Sequence, residues 1–536
     1  MTQLTNSSST SSTAVILRDN STQSLESSNS NINSNKISTA ATSSPIYVEF
    51  DPLDDLDEHG HSDNPLHWST ARKKLILIAT IGFCFLISGC SSAFSQGQAQ
   101  MVSDLDSTDL LGELALGMYI VGYSISPPLL APLSEELGRN AMYQISYTLY
   151  FLLFLPIALA RNMATVVVCR FLQGAFASAG TSLVSGTISD VMAAGRAKDT
   201  VVALFAFSAV FAMGLLPIPF GWLIVYDARS GWRLIQFIQM GMAGVWAVFL
   251  FAVLRETRPH VILLRKAAAL ARSTHLPYTS KIQKPALGQL LRVSCCRPLE
   301  MLVREPIITF FSAWLALAWS FYFAIIGSIS HVFGTLYDMN QGQLAAIYTS
   351  LVVGVSVSLL FNFCVQDKLY ARKLDIRGPE ARLYAAMLIG PLLPIGCFIY
   401  GWTSYSYLPF VAPCVGLAVI SCALFTIYLA ATQYVMDAYG PFAASGVASL
   451  SIVRNLCAGF WPLFTNTFFD NVGFQLAPTI IGCAAVVFSL TSYVLFFLGA
   501  RIRSTSRFAQ HLACSDDNGD DKDKTPSQPT QSTESV

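Results

Sequence analysis

Twelve apolar runs follow one another through the chain, near residues 75–94, 110–130, 141–160, 163–185, 201–225, 235–254, 307–333, 344–364, 383–401, 408–435, 445–468 and 478–499. An α-helix rises about 1.5 Å per residue, and a run of roughly 20 residues therefore crosses the ~30 Å hydrocarbon core of a bilayer. Backbone amides find no water there, which leaves helix as the form such runs can take. The pattern predicts an all-α integral membrane protein. Composition agrees: 12% of residues are charged, against about 25% in soluble proteins. A polar stretch, 255–305, divides the runs into two sets of six. The expected organisation is a disordered tail over 1–70, a first six-helix bundle over 71–254, a central loop over 255–305, a second six-helix bundle over 306–500 and a disordered tail over 501–536.

Basic residues set the orientation. With the N-terminus in the cytosol, all but five of the 33 Lys and Arg lie on that side; Arg161, Arg229 and Arg233 fall outside, and Arg170 and Arg454 lie within runs. The positive-inside bias thus predicts both termini in the cytosol. Residues 1–44 are rich in Ser, Thr and Asn, the composition of a disordered segment, and they lack the charged start and apolar core of a cleavable signal peptide. The acidic tail around Asp516–Lys524 is expected to be disordered as well.

A net charge of zero offers no nucleic-acid surface. His59, His61 and His67 lack helical metal-ligand spacing, so no metal is expected. Cys84, Cys90, Cys169, Cys364, Cys414, Cys422, Cys457 and Cys483 fall in apolar runs and read as small buried residues. Cys295-Cys296, in a basic loop, stays open between a reduced pair and an acylated one. With no nucleophile-base pair and no phosphate loop, the chain is not expected to be an enzyme or to carry a cofactor.

Charged residues inside or beside the runs are the candidate functional groups. Between runs 2 and 3 stands Ala131-Pro132-Leu133-Ser134-Glu135-Glu136-Leu137-Gly138-Arg139-Asn140, read as a tight loop. Gly138 permits the turn. Asp190 ends run 4, where the helix dipole disfavours a negative charge unless a cation answers it. Arg139 is the expected partner, reinforced by Glu135, and together they form a cytosolic gate. Arg170 is costly in lipid and must face protein, water or solute. Gln173 and Gly174 share its helical face. A structural arginine capping carbonyls and a part in solute or proton handling both remain open for it. Arg454-Asn455 either meets solute or locks Asp437 at the end of run 10. Glu113, a turn into run 2, is a helix-terminal carboxylate or a proton carrier. Tyr119, Tyr123, Trp319, Tyr322 and Gln433 are candidates to line a polar interior that takes a bulky amphipathic solute. Gly214, Pro217, Pro219 and Gly221 make run 5 the expected hinge.

Several stretches in order carry a resemblance: Asn64-Pro65-Leu66-His67-Trp68-Ser69; Pro132-Leu133-Ser134-Glu135 with Gly138-Arg139; Arg170 with Gln173-Gly174; Gly231-Trp232-Arg233; Glu256-Thr257 with Leu263-Leu264-Arg265-Lys266-Ala267; Arg297-Pro298 with Glu305-Pro306-Ile307; and Pro379-Glu380-Ala381-Arg382-Leu383. With them the sequence resembles a major facilitator superfamily transporter of the fungal twelve-span drug:proton antiporter family, over Asn64 to Arg503. Two departures stand out. Asn140 replaces the usual second basic residue after the gate arginine, and the Gly-Pro repeats of span 5 are reordered.

The resemblance implies the major facilitator fold and proton-driven efflux of a small organic compound across a plasma membrane: a drug-like molecule, a secondary metabolite, an organic acid or a glycolipid. The expected partners are a small-molecule substrate, protons and the lipid bilayer, with the chain acting as a monomer. Uptake or facilitated diffusion on the same scaffold is the alternative. A transport-dead receptor working through its tails is a third reading.

Overall fold

The computed structural model describes residues 46–48, 50, 63–193, 195–227, 230–274, 276–280, 287–439 and 442–503. The expected disorder of residues 1–44 and of the acidic tail, together with His59 and His61, lies outside them. Among the described residues eleven helices are long and apolar enough to cross a membrane, and a bent pair, Asp109–Ile125 with Pro127–Leu137, makes a twelfth if it is one span. They run Thr70–Asp104 (span 1), Asp109–Leu137 (span 2), Arg139–Ala158 (span 3), Met163–Val191 (span 4), Arg196–Tyr226 (span 5) and Gly231–Val253 (span 6). The second set runs Pro306–Tyr337 (span 7), Gln341–Leu374 (span 8), Gly378–Thr403 (span 9), Val411–Tyr439 (span 10), Ala443–Phe460 (span 11) and Leu476–Gly499 (span 12). Span 11 continues after Trp461 as Pro462–Val472.

Two large apolar clusters carry the two bundles. One is drawn from Trp68 to Leu254. The other runs from Met301 to Phe496 and also takes Ala203, Ala206 and Val210 of span 5, so span 5 lies in the seam. Proline marks where seam helices break. Pro127, Pro217 and Pro462 each open the second piece of span 2, 5 or 11. Without an N–H and with a ring that crowds the preceding turn, proline fits a first turn without loss, whereas mid-helix it costs a hydrogen bond and bends the helix. Span 2 bends there by 46°.

The stretch expected as a loop, Ala131 to Asn140, is largely helical. The second piece of span 2 continues to Leu137 and span 3 starts at Arg139, leaving Gly138 alone as the turn, at φ +95°. Only glycine adopts that region freely. The cysteine expectation also needs correcting: Cys364, Cys457 and Cys483 are exposed, while Cys84, Cys90 and Cys422 are buried. A thiol is small and weakly polar, so neither environment excludes it.

The face where span 1 starts and span 12 ends is called the tail face below. Two helices of the central stretch lie there. The first, Pro259–Thr274, has proline in its first turn, as its Arg258-Pro259-His260 start predicts. Its Val261–Ala267 side meets a small sheet in which strand Ile46–Val48 pairs in parallel with Tyr278–Ser280. Val48 packs on Leu263 and Ala267, and Lys266 pairs with Asp63 at 2.8 Å. The second helix, Leu287–Arg304, lies against both bundles. Ser449 of span 11 donates to its Pro298 carbonyl at 2.8 Å, while its Cys295 Sγ approaches the Pro128 carbonyl of span 2 at 3.9 Å.

Candidate functional site

Two arginine clusters occupy the tail face. In the first bundle Arg139, only 5% exposed, meets Asp190 through Nε at 3.1 Å and donates through Nη1 to Ser134 Oγ at 2.7 Å. Its backbone N–H donates to Glu256 Oε1 at 2.9 Å, so a carboxylate from the end of span 6 caps the N-terminus of span 3. Gly138 makes room for it: a Cβ there would stand 2.2 Å from Glu256 Oε2. The Arg139–Asp190 pair expected from the sequence is present, but Glu135 does not reach Arg139. It meets Arg258 at 3.4 Å, and Arg258 in turn meets the second oxygen of Asp190 at 3.6 Å. Glu135 thus joins the cluster through a second guanidinium, because the helical turn after Pro132 points it at the start of the central stretch. All these residues belong to spans 2–4 and the chain just after span 6, so the cluster lies on one side of the seam.

In the second bundle Arg382, 3% exposed, is held between three elements. Its Nε meets Asp437 at 2.7 Å, its Nη2 meets Asp199 of span 5 at 2.8 Å, and its Nη1 donates to Gln433 Oε1 at 3.4 Å. The guanidinium stacks 3.5 Å from the Tyr370 ring, and Tyr370 Oη donates to Asp437 at 2.9 Å. Two expectations change here. Asp437 is answered by Arg382 rather than Arg454, and Gln433 sits in this cluster. Both follow from the length of span 10, which continues past Val435 to Tyr439 and carries Asp437 down to the start of span 9.

The opposite face also has bonds across the seam. Gln341 of span 8 donates to Gln96 of span 1 at 3.1 Å. Asn466 of span 11 donates to Glu113 Oε1 at 2.8 Å, which gives the carboxylate a specific partner in the other bundle. Spans 5 and 8 touch closely, and a Cβ on Gly221 would stand 2.2 Å from that of Ala345. Of the residues expected to bend span 5, Gly214 and Gly221 face span 8, Pro217 opens the second helical piece and Pro219 is exposed.

Between the two faces lie the remaining candidates. Arg170, 2% exposed, is sandwiched with its Cζ 4.1 Å from the Phe94 ring centre and 4.3 Å from that of Tyr119. Its Nη1 donates to Gln173 Oε1 at 3.0 Å, while Nε, Nη2 and Gln173 Nε2 are buried without a hydrogen-bond partner. Tyr119 stacks on Tyr123 at 6.4 Å, and Tyr123 donates to Thr181 at 3.0 Å. Across the seam Arg454 donates to Asn455 at 3.0 Å and lies over Trp319 and Tyr428, 5.1 and 5.0 Å from their ring centres. Trp319 meets Tyr322 edge-on at 5.8 Å, and its Nε1 is buried and unpartnered. Gly117 of span 2 and Gly459 of span 11 let the backbones of these two walls approach.

Comparison with known proteins resolves the class of this architecture. A family model described as Major Facilitator Superfamily matches residues 76–462. The chain belongs to the Major Facilitator Superfamily. Fungal members are similar along nearly their whole length. An MFS-type transporter traF of Penicillium crustosum is 29% identical over 462 residues, covering 86% of this chain and 94% of the relative. An efflux pump radE of Floropilus chiversii is 27% identical over 477 residues, 87% and 88% of the two chains. In fold, the transporter is similar to the proton:xylose symporter XylE, with a TM-score of 0.57 at 15% identity, covering 80% of this chain and 97% of that one. A bacterial homologue of the lysosomal transporter Spinster gives 0.57 at 12% identity, covering 82% and 99%.

In this superfamily member the sequence pointed to Arg139 and Asp190 by charge at a helix end, but four partners went unassigned: Glu256, Arg258, Asp199 and Arg382. The last two were hidden because each looks like an ordinary charge at a helix start. A signal did exist for Glu256, an acid at the end of an apolar run before Arg258-Pro259.

Proposed function

We propose that this transporter exports a small organic compound from the cytosol by alternating access coupled to proton antiport. Residues 71–254 and 306–500 act as the two rocking bodies, and 255–305 as the loop that joins them. The excess of Lys and Arg on the tail face supports a cytosolic placement of that face. The single observation that carries the reading is the set of side-chain bonds across the seam at both ends, Arg382–Asp199 on one and Glu113–Asn466 on the other, with two buried arginines enclosed between. Bonds of this kind exist in one bundle arrangement and break in the other, so each set favours closure of its own face.

In the cycle, parting of Arg382 from Asp199 opens the cytosolic side. Arg382 keeps Asp437 throughout, so its charge is never left bare. The Arg139 cluster stays intact within its bundle and stiffens the ends of spans 2–4, acting as the frame of the gate. Opening outward separates Glu113 from Asn466 and Gln96 from Gln341, and span 5 flexes at Pro217. Tyr119, Tyr123, Arg170, Gln173, Trp319, Tyr322 and Arg454 line the path. The name of the efflux pump of Floropilus chiversii supports the outward direction. Residence in the plasma membrane completes the reading.

The test is direction. Purified full-length transporter is placed in vesicles, an inside-acid pH gradient is imposed, and uptake of candidate solutes against their own gradient is followed. Uptake that collapses with the gradient supports antiport. Flux that only equalises concentrations, whatever the gradient, points to facilitated diffusion. That second reading has an observation of its own: no described carboxylate pairs with Arg170 or Arg454.

A further inference from the structure

The interior is unusual in the sign of what it leaves unsatisfied. Arg170 Nε and Nη2, Gln173 Nε2 and Trp319 Nε1 are all donors, buried, and without a partner. Buried donors cost free energy until an acceptor reaches them, and a guanidinium costs most. Unpartnered buried oxygens in the spans are Gln236 Oε1 and Gln239 Oε1 of span 6, the latter on a side chain whose amide already donates to the Cys90 carbonyl of span 1, and the hydroxyls of Ser146, Ser312 and Tyr322, which can donate as well as accept. Neither Arg170 nor Arg454 has a described Asp or Glu within ion-pair distance, whereas on the tail face Arg139 has one and Arg258 and Arg382 have two each. The two interior arginines are stabilised instead by ring faces, Phe94 and Tyr119 for one, Trp319 and Tyr428 for the other. Tyr119, under the first arginine, stacks on Tyr123.

A ring face holds a guanidinium flat and leaves its N–H edge free, and that edge is the part that accepts a carboxylate, phenolate or sulfonate in two parallel bonds. We propose that the solute is an aromatic organic anion, its acidic group bound at the N–H edge of Arg170 or Arg454 and its rings against the Tyr119–Tyr123 and Trp319–Tyr428 walls. A cationic aromatic or a polyamine meets two uncompensated positive charges in a low-dielectric interior and no described acid to offset them. The inference rests on reading the interior as the solute path. It says nothing of direction or proton coupling.

Fluorescein and rhodamine 6G share a tricyclic skeleton and carry opposite charge, which makes them matched probes. Equilibrium binding of each to the full-length transporter in nanodiscs, corrected for empty discs and measured without a pH gradient, reads the charge preference alone. The expected result is fluorescein binding at least tenfold tighter than rhodamine 6G. Arg454→Gln weakens fluorescein about tenfold and leaves rhodamine 6G within twofold, Arg454→Lys recovers part of the loss, and Arg161→Gln in the exposed loop after span 3 changes neither. Equal or tighter binding of rhodamine 6G, no fluorescein binding, or fluorescein binding that Arg454→Gln leaves unaltered overturns the proposal. The wild-type ratio needs no variant to fold. Tight fluorescein binding without gradient-driven flux would sink the export reading and leave this one standing, and export of rhodamine 6G would do the reverse.

Discussion

Arg382 reaches across the seam to Asp199 at 2.8 Å while it holds Asp437 of its own bundle at 2.7 Å. The same side chain is therefore both structural and conformational, and the two roles separate by which acid is removed. Asp199→Asn deletes the cross-seam charge and leaves Arg382 paired. A charge-assisted bond is worth about 1.5–3 kcal/mol, so the tail-face-open population should rise roughly tenfold or more, with little change in melting temperature. Spin-label distances between spans 5 and 9 measure it. An unchanged distance distribution would remove Asp199 from the gate.

Asp437→Asn is expected to behave differently. Arg382, 3% exposed, would keep only the partly exposed Asp199 as a charged partner. Breaking a buried pair costs on the order of 3–5 kcal/mol, so this variant should lose stability first and show altered gating second. Thermal unfolding in detergent separates it from Asp199→Asn.

Gly138 and Gly473 provide a matched pair. Both have positive φ, +95° and +96°, but a Cβ on Gly138 runs into Glu256 whereas one on Gly473 meets nothing within 4 Å. Alanine at Gly473 should cost only the backbone strain, about 1–3 kcal/mol. Gly138→Ala should cost more and displace the carboxylate that caps span 3. Comparing melting temperatures of the two isolates the crowding, and equal losses would show that Glu256 simply moves aside.

Glu113→Gln tests the opposite face. Glutamine can still accept from Asn466, so if Glu113 serves only as a latch, flux and its pH-gradient dependence should stay within twofold. Glu113→Ala removes the acceptor and should favour outward opening. Loss of gradient dependence in the glutamine variant alone would make Glu113 the proton site.

A wedge tests the seam itself. Gly221→Trp cannot fit against Ala345, so the face opposite the tails should stay open and flux should fall by at least tenfold while folding survives. Labelling of a cysteine placed in the interior, added from that side, reports it.

The spans were legible because lipid imposes a single requirement on every one of them, and hydropathy records it. Arg139 and Asp190 were legible for a related reason: an acid at the C-terminal end of a helix needs a cation, and the next hairpin offered one. The Arg382–Asp199 bond was not, since it joins positions 183 residues apart and depends on how two bundles sit together. Arg454 stood between meeting solute and locking Asp437; Arg382 takes Asp437, and Arg454 lies over the Trp319 and Tyr428 rings, contacts between distant spans that no local pattern records. Asn140 stands where the resemblance leads one to expect a second basic residue. The second positive charge comes instead from Arg258, which no periodicity in spans 2 and 3 could reveal.

The parallel pairing of Ile46–Val48 with Tyr278–Ser280 imposes an order on biosynthesis. The partner strand does not exist until all six helices of the first half have left the ribosome. At about 5–20 residues per second, the early strand waits on the order of tens of seconds for its neighbour. The first half must therefore insert and associate without this clasp, which closes afterwards and ties the start of the polypeptide to its midpoint.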